Sequence, residues 1–178
     1  MHSAPATKFD FEDSYAVGPS APAPEAAAPA VYDFGEHSLA VDGQVQRGLN
    51  LFLPLKSPAQ MPALFAALAA HAPTTQKALR ELHYVHFARF VPTPDGSALI
   101  VVTEYDGDLR SYVMDFVAVL GDIFTAILEF VKGAPPLPVQ RYPEEFWAFV
   151  QRNNIDVPVW SAYPHMTVID ILRARRAR

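Results

Sequence analysis

The chain has 178 residues, of which 51% are apolar and 12% aromatic, enough for one core, because a chain near 150 ordered residues hides roughly 70% of its unfolded surface. Its 14 Lys and Arg against 19 Asp and Glu give a net charge of −5, so the overall field does not attract nucleic acid. The sequence contains no cysteine, which excludes disulfides, thiolate metal sites and cysteine nucleophiles.

The first 30 residues have the composition of a disordered arm. They contain nine Ala and five Pro, with four acidic residues against Lys8, and they lack the apolar core of a signal peptide. Residues 31–46 are mixed and predict an irregular lead-in. We therefore expect a cytoplasmic protein whose folded domain spans residues 47–178.

A strand and a helix are predicted first. Leucine alternates with other residues over residues 49–55, so the four leucines share one face of a strand. Ser57 and Pro58 then supply a cap and a first helical residue. This helix is predicted to end at Pro73, and residues 74–81 to form a short polar helix or a loop.

A hairpin is predicted next. Residues 82–91 and 98–105 are rich in Val, Phe and Tyr, which favours two strands. The Thr-Pro-Asp-Gly-Ser sequence at 93–97 predicts a three-residue loop between them. That register places His86 opposite Glu104.

A long helix is predicted from the cap Asp108 to Gly133, with a candidate kink at Gly121. Its stretch 112–131 is long enough to cross a bilayer but contains three carboxylates. Each costs about 2.5–3.5 kcal/mol near the bilayer centre, so we expect a core helix of a soluble protein.

The remaining elements are a short docking helix at residues 142–153, a fourth strand at 157–163 and a terminal segment from Thr167. The order β-α-β-β-α-β predicts an α+β, ferredoxin-like fold with four antiparallel strands and both helices on one face. Both faces of the second and third strands are apolar, and one helical layer cannot cover both. An uncovered apolar sheet marks a partner or ligand site, so we expect a homodimer with a cavity between two sheets.

Four sequence segments resemble those of a known superfamily. They are His86-Phe-Ala-Arg-Phe-Val, Leu99-Ile-Val-Val-Thr-Glu-Tyr-Asp-Gly-Asp, Trp160-Ser-Ala-Tyr-Pro and Thr167-Val-Ile-Asp-Ile. With the hairpin and helix between them, they resemble the dimeric α/β-barrel, ferredoxin-like superfamily, in particular uncharacterised bacterial proteins similar to one half of the dye-decolourising peroxidase fold. The resemblance covers about residues 47–172.

The superfamily implies dimers and includes haem enzymes, cofactor-free monooxygenases, isomerases and ligand sensors. The peroxidases carry a Gly-x-x-Asp-Gly motif with a distal aspartate. Here Thr103-Glu104-Tyr105-Asp106-Gly107 keeps the Asp-Gly but lacks the first glycine. This departure counts against peroxidase activity.

The predicted pair is the candidate catalytic site, with His86 as general base and Glu104 as its orienting carboxylate. Arg89 is a candidate anion clamp, and other side chains could line the same apolar space. The candidate ligand-binding residues are Asn50, Phe52, Arg89, Tyr105 and Trp160.

Three functions remain open. The chain binds a small apolar or aromatic ligand or substrate between two sheets, or it is a non-catalytic binding or assembly module in which the pair only sets dimer register. A third hypothesis is haem binding through His86 or His165. We expect no metal site at His83 and His86, because they alternate along a strand. The arginines at 173–178 predict a solvated tail rather than a nucleic-acid site.

Overall fold

The computed structural model describes residues 40–176. The predicted arm and most of the lead-in lie outside the described residues. The elements, in chain order, are β1 Gln46–Pro54, α1 Met61–Leu82, β2 Val85–Pro92, β3 Ala98–Asp106, α2 Leu109–Leu128, α3 Pro143–Asn153 and α4 Val168–Arg176. This part of the chain is a mixed α+β structure with one three-stranded sheet and four helices, which confirms the predicted class.

The sheet is antiparallel, with strand order β1-β3-β2. The leucines of β1 share one face with the alternate residues of β3, since Leu51 pairs with Val101 and Leu53 with Leu99. This face is covered by α1 and α2, whose buried side chains form one core with it. We call it the covered face.

Helix α2 packs deep in that core. By length and composition it could cross a membrane, but 56% of its most apolar 18-residue stretch is buried inside the protein. The cap prediction is confirmed, because Asp108 Oδ1 accepts from the Ser111 amide at 2.9 Å. Gly121 does not break the helix; a Cβ there would collide with the side chain of Gln140.

The predicted end of α1 at Pro73 was wrong. The helix continues to Leu82, because Thr75 and Ala78 extend its buried side. The Thr75 hydroxyl also donates to the His71 carbonyl at 2.9 Å. Packing thus outweighs the cost of about 3 kcal/mol that an interior proline imposes.

The predicted fourth strand was also wrong, since residues 157–163 form no strand. After α3 the chain meets β1 only briefly, where the Ile155 amide donates to the Asn50 carbonyl at 2.9 Å. It then crosses the sheet over Gly48, where a Cβ would lie 2.7 Å from Val159 Cγ2. Pro158 has no N–H for a ladder, which explains why pairing stops.

We call residues 155–166 the crossing segment. Two glutamine side chains, one just before β1 and one at its first residue, hold it in place. Gln44 Nε2 donates to the Val159 carbonyl at 2.7 Å. Gln46 Nε2 donates to the carbonyls of Tyr163 at 3.0 Å and Met166 at 2.6 Å. Side-chain amides therefore fix a path that strand pairing was expected to fix.

Candidate functional site

The register of the hairpin decides which carboxylate meets the histidine. Thr93 pairs with Ala98 rather than Ser97, as the Thr93 amide donates to the Ala98 carbonyl at 2.9 Å. The loop is therefore one residue longer than predicted, and β2 carries a bulge between Val85 and Phe87. Phe87, not His86, lies opposite Glu104, so the predicted His86–Glu104 pair was wrong.

His86 instead meets Asp106. Its Nε2 lies 2.7 Å from Asp106 Oδ1, with the two side chains only 9% and 11% exposed. A carboxylate in its ionised form only accepts hydrogen bonds, and with that form of Asp106 it is Nε2 that donates. Nδ1 has no hydrogen-bond partner among residues 40–176. A neutral His86 then presents a lone pair on Nδ1, which is the atom a general base uses.

Asp106 also holds the start of α4. Its Oδ2 accepts from the Val168 amide at 2.7 Å, as a helix N-terminus favours. One carboxylate therefore orients the imidazole and anchors a helix. Asp106 lies in the Asp-Gly string that the sequence singled out, but its role depends on the bulge, which no local signal revealed.

The other two predicted charged residues pair with each other. Arg89 Nη2 lies 3.4 Å from Glu104 Oε1, at the long end of a hydrogen bond, and Arg89 is exposed, so this pair is weak. Glu104 Oε2 is buried and has no partner in the described part of the chain. Glu104 therefore does not orient His86.

Tyr105 does not line the site. It lies on the covered face, buried and stacked on Tyr112 with ring centroids 3.9 Å apart. Burial raises the pKa of Tyr105 to about 12. The prediction that Tyr105 contacts a ligand was therefore wrong, because its ring is part of the core.

Asn50 and Trp160 are also separated from the histidine. Asn50 Nδ2 donates to the Ile155 carbonyl at 3.1 Å, and the Asn50 amide donates to Asn154 Oδ1 at 2.9 Å. Asn50 therefore holds the chain at the start of the crossing segment. Trp160 lies exposed within that segment.

The second sheet face is apolar and largely uncovered away from the crossing segment. Phe87 is 67% exposed and Val91 40% exposed. Their neighbours on β1 and β3 are half-buried. We call this set the open face: Phe52, Phe87, Arg89, Val91, Ile100 and Val102.

A cleft adjoins the open face at the β2 edge. It has a volume of about 470 Å³ and lies between the end of α1, β2 and α4. We call it the edge cleft. Its lining residues are Leu79, Arg80, His83, Val85, His86, Phe87, Ala88, Val168 and Leu172. Phe87 belongs to both surfaces, and its neighbour His86 also lines the cleft.

Each histidine of the haem hypothesis is engaged through one ring nitrogen. Nε2 of His86 is engaged by Asp106. His165 is exposed, with Nδ1 3.2 Å from the Gly43 carbonyl. Between residues 40 and 176, no group of three His, Asp or Glu side chains is placed to hold a metal ion.

No protein-family model matches the chain, and neither the curated proteins nor the solved structures contain a match. The function must therefore be argued from the geometry alone.

Proposed function

We propose that this chain forms a homodimer of ferredoxin-like subunits that encloses a small, mostly apolar or aromatic ligand against its open face. The observation that carries this proposal is the exposure of Phe87 and Val91 on an apolar sheet. Exposed apolar sheet of this kind marks an interaction site. The order β1-β3-β2 is compatible with a ferredoxin-like sheet, although the fourth strand is replaced by the crossing segment.

A second copy of the chain is the occupant that suits the open face. Arg89 of the open face pairs with Glu104, which lies beside that face on β3 and opposite Phe87. A two-fold axis brings the same patch onto itself and can set Arg89 near the partner's Glu104.

His86 lines the edge cleft beside the open face, and we assign the proton-transfer role to it. Asp106 fixes the ring and supports its positive charge, while Nδ1 is free to take a proton from a ligand and return it. This is the arrangement of a general base with an orienting carboxylate. His86 and Asp106 therefore replace the predicted His86 and Glu104 as the proton-transfer pair.

The oligomeric state tests the proposal directly. Sedimentation velocity should show a dimer at micromolar concentration for the wild type and a monomer for Val91→Glu. Val119→Glu is the matched control, because Val119 is an equally exposed valine on α2 and should leave the dimer intact. A wild-type monomer, or equal behaviour of the two variants, would contradict the proposal.

Ligand binding separates the two remaining functions. The neutral apolar dye Nile red should fluoresce with the wild type and with Val119→Glu, and much less with Val91→Glu. A dimer that leaves the dye dark would instead identify an assembly module. The folding of each variant is checked by circular dichroism.

A further inference from the structure

The edge cleft combines an apolar wall with one arginine and two histidines. Six of its lining residues are apolar, and the other three are Arg80, His83 and His86. None of the lining residues is acidic. Such a lining complements an anion that carries an apolar body.

The three polar side chains lie at different depths. Arg80 is in the last turn of α1, and His83 caps that helix in the left-handed conformation with φ 53. Both are exposed, whereas His86 is nine-tenths buried. Arg80 and His83 therefore lie at the mouth of the cleft, and His86 lies at its inner end.

The carboxylate that contacts His86 is already engaged. Asp106 accepts from His86 through one oxygen and from the Val168 amide through the other. His86 Nδ1 remains without a partner in the described part of the chain. An incoming ligand therefore meets a polar atom with unused hydrogen-bonding capacity.

We propose that the edge cleft binds a small carboxylic acid with an aromatic or branched aliphatic body. Arg80 and His83 hold the carboxylate, since an arginine fork matches a carboxylate in geometry and charge. Leu79, Val85 and Leu172 enclose the body, which extends toward His86. All of these residues come from one chain, so the site does not depend on the proposed dimer.

The first experiment compares two ligands of nearly the same shape, 2-naphthoate and neutral 2-naphthalenemethanol, by isothermal titration calorimetry on the full chain. The acid should bind up to about fivefold more tightly, because its carboxylate pairs with Arg80 at the exposed mouth of the cleft, where ion pairs are weak. Arg80→Gln should remove most of this preference. Arg152→Gln, an exposed arginine on α3, should leave it unchanged. Equal affinity for acid and alcohol, or equal loss in both variants, would overturn the proposal.

A second pair of variants locates the apolar body. Leu172→Asp should abolish naphthoate binding, because Leu172 lines the cleft. Ile169→Asp is the control, since Ile169 is an exposed aliphatic residue of the same helix outside the lining. Naphthoate binding that survives in both variants would refute the assignment of the ligand to the edge cleft.

The variant Val91→Glu distinguishes this inference from the proposed dimer. Naphthoate should bind it as tightly as the wild type, whatever its oligomeric state. Loss of binding in Val91→Glu would assign the acid to the dimer cavity and overturn the assignment to the edge cleft.

Discussion

The two faces of the sheet have similar apolar composition and different surroundings. On the covered face, Leu51, Leu53 and Leu99 are almost fully buried beneath α1 and α2. On the open face, Val91 and Phe87 remain exposed within the single chain. The difference teaches that an apolar strand pattern shows which surfaces require burial, while the covering layer depends on how many elements the chain itself supplies.

The largest expected effect is a difference in the free energy of unfolding between a substitution on the covered face and one on the open face. Leu53→Ala removes side-chain packing from the covered face and should lower the free energy of unfolding by about 2–5 kcal/mol. Val91→Ala, measured in dilute solution where subunits are separate, should change it by no more than about 0.5 kcal/mol. Urea denaturation measures both values, and comparable losses would contradict the contrast between the faces.

A polar pair inside the covered face should give the next largest effect. The Tyr112 hydroxyl donates to Thr103 Oγ1 at 2.7 Å in a buried setting. Tyr112→Phe leaves that hydroxyl of Thr103 unpaired, which should cost about 1–3 kcal/mol. Tyr163→Phe is the control, because Tyr163 is exposed and its substitution should have no measurable effect on thermal unfolding.

The elements around the open face are held less firmly. No residue of α4 is buried, and the amide of its first residue, Val168, donates to the Asp106 carboxylate. Asp106→Ala should speed tryptic cleavage after Arg173 roughly tenfold, equivalent to about 1.4 kcal/mol of local stability. Asp156→Ala removes an exposed carboxylate elsewhere and should leave the rate unchanged. An unaltered rate in Asp106→Ala would show that other contacts fix α4.

The smallest effect concerns the hairpin loop, which both faces share. Hydrogen bonds from the Ser97 amide and from the hydroxyls of Thr93 and Ser97 lower the pKa of Asp95 to about 2. Because the folded pKa lies below the ordinary value of 3.8, the ionised group stabilises the fold above about pH 4, and this stabilisation is lost as the pH falls toward 2. The difference in urea midpoint between the wild type and Asp95→Asn should shrink over the same range. A constant difference would contradict the assignment.

Local chemistry made much of the fold predictable. The leucine alternation of β1 and the Asp108 cap rest on neighbouring residues, and the structure confirms them. The hairpin is also present, but its register and the start of β2 differ from the prediction. Pro73 was misjudged because distant packing, rather than local preference, keeps α1 continuous.

The candidate site was half predictable. His86 was correctly singled out as the histidine beside a carboxylate, but one extra loop residue and one bulge exchanged Glu104 for Asp106. Register errors of a single residue move a side chain to another neighbour or another face. The edge cleft could not be predicted, since it brings α4 beside the end of α1, more than 80 positions earlier in the sequence.

Because the crossing segment does not pair as a strand, its residues need not alternate between apolar and polar. Gln44 and Gln46 hold it by its carbonyls, and Val159 packs on Gly48, so Trp160 and Tyr163 are not needed to keep it in place. Trp160 and Tyr163 therefore point outward, and substitutions at these two positions should leave the sheet below them unchanged.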